Sequence, residues 1–446
     1  GELVVLDDVS TTDMVLPWLR YNALMTGTKE GCNEGDCGAC TCIVGRLSEA
    51  GEFDFSLINA CIFPLVYLDG SWLISVDSLS HNGSISSAQF EVMSKNGSQC
   101  GFCTPGFVMA ITYAQINGGN DSPEQVLSGN LCRCTGYGGL IEATRNCKHL
   151  PLDAAFVLAM QRARDALTGI SQGGFVIERD GSRVDAPKSL TKLLCLRAEN
   201  PSATLVGGST DFGLWVTKKL ENPSHIILTR FCHDLLAIKQ CEDIIEIGAA
   251  VSIEHIGRVL VSEYPELKEW HQRFGGPQVR CSGTIGGNIA NGSPIGDSSP
   301  VLIALGASLK LRSVSGERVI PIESFFIEYG KQDLKADEIV ESVIIPKRDK
   351  FVRVRVEKIS KRFDQDISIV LVAMVELSKS KSRYRFAFGG MAGIPKLAKK
   401  TMQTLNPEHL EVDFSPLSDH RADSWYRLNV SKNLVRDFVE GRISNE

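Results

Sequence analysis

The chain has 446 residues, 43% of them hydrophobic and 22% charged, with a formal net charge of -6. That is an ordinary globular composition, long enough for about three domains. No basic stripe marks a nucleic-acid surface, no charge block reads as a disordered tail, and the longest apolar stretch, Ile367 to Val375, is too short to cross a bilayer. Fourteen cysteines without a visible secretory leader point to a reducing compartment, and so to a cytoplasmic protein without a disulfide framework.

Residues 1 to about 66 read as short strands and turns, with one helix near Met14 to Tyr21. Within them Cys32, Cys37 and Cys40 have the spacing C-x4-C-x2-C, followed by a distant Cys61. That is the spacing of plant-type 2Fe-2S ferredoxins, in which soft anionic thiolates complete the tetrahedral shells of two bridged irons. The loop is rich in glycine, which lets backbone N–H groups turn toward inorganic sulfide. Cys42, just beyond it, reads either as an extra oxidation-sensitive thiol or as a small core residue.

From about 67 to 150 the pattern becomes helical. Cys100 with Cys103, and Cys132 with Cys134, form a second set, C-x2-C paired with C-x-C. Taken alone, two close pairs fit a zinc site as well as an iron–sulfur cluster. Thr104 reads as an N-cap with Pro105 at the first helical position, and Phe107, Ile111 and Ala114 fall on one face. Ser122 to Gln125 is a capping-box pattern. Both cysteine pairs therefore sit beside helix starts, whose positive ends offset a negative cluster. The other six cysteines, Cys42, Cys147, Cys195, Cys232, Cys241 and Cys281, show no ligand spacing and read as buried or half-buried small residues.

Residues 151 to about 172 read as a helix and linker, and after Gly173 strands alternate with helices. Leu205, Val206, Gly207, Gly208, Ser209, Thr210, Asp211 and Phe212 form one glycine-containing segment after an apolar run, and Ser282 to Asp297 forms another. Their free N–H groups suit a pyrophosphate, although neither is a Rossmann fingerprint or a P-loop, and each taken alone reads more readily as a tight turn between strands. Near Pro346 the texture shifts again to a smaller α/β region. Ser378 to Ser382 reads as a solvated hairpin turn.

At this point whole segments resemble a known family. The stretches around Cys32 to Cys40, Gln99 to Gly106 and Gly129 to Tyr137 resemble the iron–sulfur modules of molybdenum hydroxylases. Thr284 to Asp297 and Lys358 to Ile367 are similar to the flavin domain of the xanthine dehydrogenases. The resemblance covers nearly the whole chain in the right order, and is to the small, iron–sulfur and FAD subunit of the bacterial enzymes. It implies a multidomain α+β fold: a β-grasp 2Fe-2S ferredoxin domain over 1–66, a helical 2Fe-2S domain over 67–150, a linker over 151–172, a vanillyl-alcohol-oxidase-type FAD domain over 173–338 and a small C-terminal α/β domain over 339–446.

The resemblance also implies roles. All eight cysteines of the two sets would ligate two 2Fe-2S clusters, and Gln99 would lie near the pterin of a partner. Leu205 through Phe212, with Thr284, Ile285, Gly286, Gly287 and Asn288, would wrap FAD by backbone groups. Asp297 and Lys358 would touch it through polar atoms, Phe274 would lie near its ring, and Val340 would pack beside it. Read without the resemblance, Asp297 is equally a helix cap, Lys358 a solvated strand residue and Phe274 a core aromatic. Gly138 and Gly139 stand where the family usually places a proline, which would loosen the following helix. The implied function is electron-transfer subunit of xanthine dehydrogenase, with NAD+ as acceptor, no catalytic acid or base in this chain, and a molybdopterin-binding large subunit as partner in a heterotetramer of two copies of each chain. The same role in an aldehyde- or N-heterocycle-oxidising relative is the neighbouring reading. A zinc scaffold or redox sensor without flavin is the reading from another class.

Overall fold

A computed structural model describes residues 2–48, 50–80, 83–348, 351–377 and 383–442. The chain forms two compact units. One holds the residues up to Lys188 together with Ala203–Phe231 and Gly276–Gly283; the other holds Ser189–Ser202, Cys232–Gly275 and the residues from Thr284 onward.

In the first unit the central strand Thr41–Leu47 pairs antiparallel with Phe53–Asn59 on one side and Ser71–Ile74 on the other. Alternate residues of this sheet face different cores. Cys42, Val44 and Ile58 pack with Leu16, Phe63 and Tyr67, whereas Ile43, Leu57 and Ile74 pack with Phe107 and Ile111 of the helical region. The helices there are Ser87–Ser94, Thr104–Ile116, Pro123–Leu127 and Gly138–Cys147. The Thr104–Ile116 helix is buried along Gly106 to Thr112, which is more than the single face its apolar spacing implied. The helix Ala154–Leu167 follows, its Phe156 ring 5.5 Å from that of Trp72.

Three local expectations change. Of the helical texture expected from 67, only the short 3-10 turns Leu65–Leu68 and Val76–Leu79 precede the first α-helix at Ser87, because Ser71–Ile74 adds the third strand to the first sheet. The boundary placed at 66 thus cuts through that sheet. Cys103, not Thr104, is the N-cap of its helix, and the Thr104 hydroxyl pairs with Ser98 Oγ at 2.8 Å instead. The two glycines at 138 and 139 do not loosen their helix. It starts at Gly138 after Tyr137 in the left-handed region (φ 67), and a Cβ on Gly139 would collide with the Lys95 carbonyl oxygen. Glycine here lets two helix ends meet backbone to backbone. The expected capping box is present, with Ser122 Oγ accepting from Gln125 N.

The first unit also holds a four-stranded sheet in the order Val176–Arg179, Ser182–Asp185, His225–Leu228, Thr204–Val206. His225–Leu228 runs parallel to both of its neighbours. The glycine segment therefore leaves the carboxyl end of a parallel strand, where open α/β sheets place their ligands.

In the second unit a five-stranded antiparallel sheet has the order Gly316–Pro321, Ser308–Ser313, Ile339–Pro346, Ile244–Gly248, Ile238–Gln240. Its middle strand is Ile339–Pro346, so the boundary placed at 338 falls inside this sheet. A new sheet starts at Phe351–Ile359 and continues through Val370–Leu377, Tyr384–Gly389 and Lys396–Leu397. The apolar stretch noted in the sequence is its second strand, buried on both faces. Val370, Val372 and Met374 pack with Val435 and Phe438, the latter two from the Ser424–Val439 helix, while Leu371, Ala373 and Val375 join the larger core. The turn expected at Ser378 to Ser382 lies outside the described residues. Among the described residues no helix is long and apolar enough to cross a membrane.

Candidate metal and cofactor sites

The first cysteine set closes as two pairs. Cys32 and Cys37 exchange hydrogen bonds, Cys32 N to Cys37 Sγ at 3.3 Å and Cys37 N to Cys32 Sγ at 3.3 Å, and Asp36 N adds another to Cys32 Sγ at 3.4 Å. The Cys37 thiol, helped by these amides, draws the Cys32 thiol down to about 5, a thiolate at neutral pH. Cys40 and Cys61, both buried, form the second pair; their hydrogen bond and burial push the Cys61 thiol up. Asn59 spans the set, its Oδ1 3.9 Å from Cys40 Sγ and its Nδ2 donating to Gly35 O at 2.7 Å.

The second set closes in the same way. Cys134 Sγ lies 3.6 Å from Cys100 Sγ, and Cys103 pairs with Cys132. Burial opposes charge on Cys132, yet Thr135 Oγ1 at 3.1 Å and the amides of Thr135 and Cys134, each at 3.4 Å, hold its thiol below the usual range. Cys100 and Cys134 are exposed, as are Gln99 and Phe102, so one edge of this site opens to the surface of its unit. Among the described residues no three His, Cys, Asp or Glu side chains converge on one point.

Of the remaining cysteines, Cys42, Cys147, Cys232 and Cys281 are buried and Cys195 is half-buried, but Cys241 is exposed and departs from the expectation. Cys42 is fully buried and its thiol is pushed up to about 12 by that burial, which favours a core residue over a reactive thiol.

A buried polar network joins the two sets. Leu131 N donates to Cys37 O at 2.9 Å, tying the neighbour of one sulfur to the backbone of another. Asn130 Nδ2 donates to Gly38 O at 2.9 Å, and Gln278 Nε2 donates to both Thr41 Oγ1 (2.9 Å) and Asn130 Oδ1 (3.1 Å). Thr41, Asn130 and Gln278 are all buried.

In the same unit the loop from Leu205 to Phe212 leads into the helix Phe212–Thr217. A Cβ on Gly208 would collide with the Ser282 carbonyl oxygen, and the buried Ser282 Oγ has no hydrogen-bond partner among the described residues. The Tyr67 hydroxyl supports the loop from beneath, at 2.9 Å from Val206 O and 2.6 Å from Gly207 O. Ser209 is buried, Thr210 half-buried and Asp211 exposed.

The second unit holds the other predicted residues. Thr284 caps the helix Ile285–Asn291, its Oγ1 accepting from Gly287 N at 3.2 Å. Asn288 Oδ1 accepts from Ser298 Oγ. Asp297 stands at the N-cap of the Ser298–Leu305 helix but does not cap it by its side chain. Its carboxylate binds Lys358 Nζ at 2.7 Å and Ser368 Oγ at 2.5 Å. Lys358 is buried and also donates to Arg273 O at 2.8 Å, so it is no solvated strand residue. Phe274 is buried with its ring 5.9 Å from that of Trp270, and Val340 is buried on the middle strand. The structure thus brings Asp297, Lys358 and the Phe274 segment together, while Val340 enters the larger core of that unit.

Comparison with known proteins is decisive. Residues 181–348 match the family described as the FAD binding domain in molybdopterin dehydrogenase, residues 75–145 the 2Fe-2S binding domain, and residues 355–441 the CO dehydrogenase flavoprotein C-terminal domain. The chain belongs to the molybdenum hydroxylase family, as its iron–sulfur and FAD-binding part. It is similar to xanthine dehydrogenase of Emericella nidulans (31% identity, covering 90% of this chain and 34% of the relative) and to xanthine dehydrogenase/oxidase of Gallus gallus (30%, covering 91% and 36%). The chain spans about a third of the length of the curated relatives it matches. Among solved structures it shares its fold with carbon monoxide dehydrogenase from Hydrogenophaga pseudoflava (TM-score 0.52, 23% identity, 57% of this chain and 94% of that one) and with quinoline 2-oxidoreductase from Pseudomonas putida 86 (TM-score 0.51, 22%, 57% and 94%).

Within this molybdenum hydroxylase chain, sequence reasoning missed Tyr67, Asn130 and Gln278. Their partners lie 139, 92 and 237 residues away. No local spacing signals such contacts. The buried Ser282 hydroxyl, still in need of a partner, and the close backbone approach at Gly208 are chemically compatible with a phosphate-bearing cofactor at this loop.

Proposed function

We propose that this chain is the electron-transfer subunit of a xanthine dehydrogenase. Hypoxanthine and xanthine would be oxidised to urate at a molybdopterin on a partner chain, with the electrons leaving through two 2Fe-2S clusters and FAD to NAD+. When bound, the clusters carry single electrons and the flavin exchanges them for a hydride. Cys32, Cys37, Cys40 and Cys61 would hold one cluster, and Cys100, Cys103, Cys132 and Cys134 the other. The amides of Asp36, Cys37, Cys134 and Thr135, which donate to sulfur, stabilise thiolate charge at both. The backbone of Leu205 to Phe212 and of Thr284 to Asn288 would position FAD, with Lys358 and Asp297 fixing polar atoms near Phe274 and Val340. The exposed edge at Cys100 and Cys134 supports docking of the molybdopterin partner there, in a cytoplasmic heterotetramer with two copies of each chain. We read the domain limits as near 80, 150 and 348.

One observation carries the choice of xanthine dehydrogenase. The xanthine dehydrogenases align with 83–91% of this chain, whereas the carbon monoxide dehydrogenase and quinoline oxidoreductase chains are 94–96% covered by 57–58% of it. Iron–sulfur and flavin parts in one collinear stretch are thus shared with the former. The test is an anaerobic visible spectrum of the protein purified with its natural partner. Bleaching by xanthine and recovery with NAD+ is expected. Bleaching by quinoline or an aldehyde, but not by xanthine, would move the assignment to another molybdenum hydroxylase.

A further inference from the structure

Ser209 departs from its neighbours in the glycine loop. Its backbone sits at φ 64, the left-handed region that side chains other than glycine rarely enter, although it is buried. Such strain persists where surrounding contacts over-determine it, and it clusters at functional sites. Here the contact is explicit: Ser209 Oγ donates to the Ile62 carbonyl at 3.2 Å. Ile62 directly follows Cys61 and is itself buried. The route from Cys61 Sγ to Ser209 therefore consists of the covalent bonds of Cys61 and Ile62 and one hydrogen bond.

Two further contacts hold this segment against the first cysteine set. A Cβ on Gly213 would press on the backbone and side chain of Ile62. At the far end of the Phe212–Thr217 helix, Lys218 Nζ donates to Cys32 O at 2.6 Å. The segment from Ser209 to Lys218 is thus fastened at both ends to residues that carry or adjoin the cysteines of the first set. Electron tunnelling decays more slowly along bonds and hydrogen bonds than across a van der Waals gap.

We propose that Ser209 is a positioning residue that couples the cluster of Cys32, Cys37, Cys40 and Cys61 electronically to the flavin. This rests on the function proposed above. In each transfer the reduced cluster loses one electron and is reoxidised, and the flavin gains it; two transfers, with protons from solvent, complete flavin reduction.

The test uses the iron- and FAD-loaded protein as purified. A limiting pulse of radiolytically generated electrons is delivered, and flavin bleaching is followed against recovery of cluster absorbance, with rates taken per FAD-loaded molecule. Ser209→Ala and Ser209→Gly both remove the hydroxyl, and the glycine variant does so without the strain of the left-handed backbone. A severalfold slower cluster-to-flavin transfer is expected in both. Ser209→Asn, which tolerates the left-handed conformation and supplies a donor, should recover most of the rate. A wild-type rate per loaded molecule in both hydroxyl-less variants overturns the proposal while leaving the assigned function intact. Wild-type protein lacking iron at the first set, or lacking FAD, would overturn both.

Discussion

Lys358 Nζ lies 2.7 Å from Asp297 Oδ2, and neither side chain is open to solvent. The pair joins the start of the Ser298–Leu305 helix to the Phe351–Ile359 strand, and Lys358 holds the Arg273 carbonyl beside Phe274 with the same ammonium. Removing the lysine leaves a buried carboxylate without its cation, with Ser368 as its remaining side-chain partner among the described residues. Lys358→Met should therefore cost about 3–5 kcal/mol of stability. Thermal unfolding checks this, and flavin content per chain should fall with it.

Gln278 offers a second test. Its amide is the donor to both Thr41 and Asn130, so Gln278→Leu leaves the buried Asn130 amide oxygen short of a donor, while the Thr41 hydroxyl keeps Asn130 Nδ2 and the Gly38 carbonyl. A loss of about 1–3 kcal/mol is expected. Because Asn130 bonds the Gly38 carbonyl beside Cys37, the magnetic interaction between the two reduced clusters should also change in the electron paramagnetic resonance spectrum.

Each cysteine set can be emptied separately. Cys61→Ser and Cys103→Ser each remove one ligand of one proposed two-iron cluster. Each variant should lose about half of the iron, with the paramagnetic signal of the other set retained. Loss of all iron in both would mean that the sets do not load independently.

Acid should loosen the parallel sheet that carries the glycine loop. Burial of Asp185 pushes its carboxyl up, but Arg183 Nε at 2.7 Å and His225 Nε2 at 2.7 Å outweigh that and hold it below the usual carboxylate range. A folded-state value below the unfolded one means that the contribution is present above the unfolded carboxylate's pKa, about 3.9. It is lost as pH falls through the folded value. Asp185→Asn should lower stability at pH 7 by about 1–3 kcal/mol and flatten the decline below pH ~4. Denaturant unfolding at both pH values checks the sign.

Spacing made Cys32, Cys37 and Cys40, and the pairs Cys100/Cys103 and Cys132/Cys134, legible as groups, because each falls within a few residues of sequence. The glycine segments stood out for the same local reason, but the free amides expected of the second are not there: Ile285, Gly286, Gly287 and Asn288 all donate to acceptors within their own unit. What spacing could not carry was assignment of strands to sheets. Which sheets Ser71–Ile74 and Ile339–Pro346 join depends on partners elsewhere in the chain. Likewise Asp297 has the residue type and position of a helix cap. Only the approach of Lys358, 61 residues on, shows why its carboxylate is turned to another use.

The bond from Leu131 N to Cys37 O has a consequence for drift. It is made wholly of main chain, so side-chain replacement at either residue leaves its donor and acceptor in place. Position 131 can exchange one apolar residue for another across generations while the tie between the two sulfur-bearing loops persists. Proline alone, lacking the N–H, would cut it. A lineage can therefore rewrite this junction letter by letter and keep its wiring.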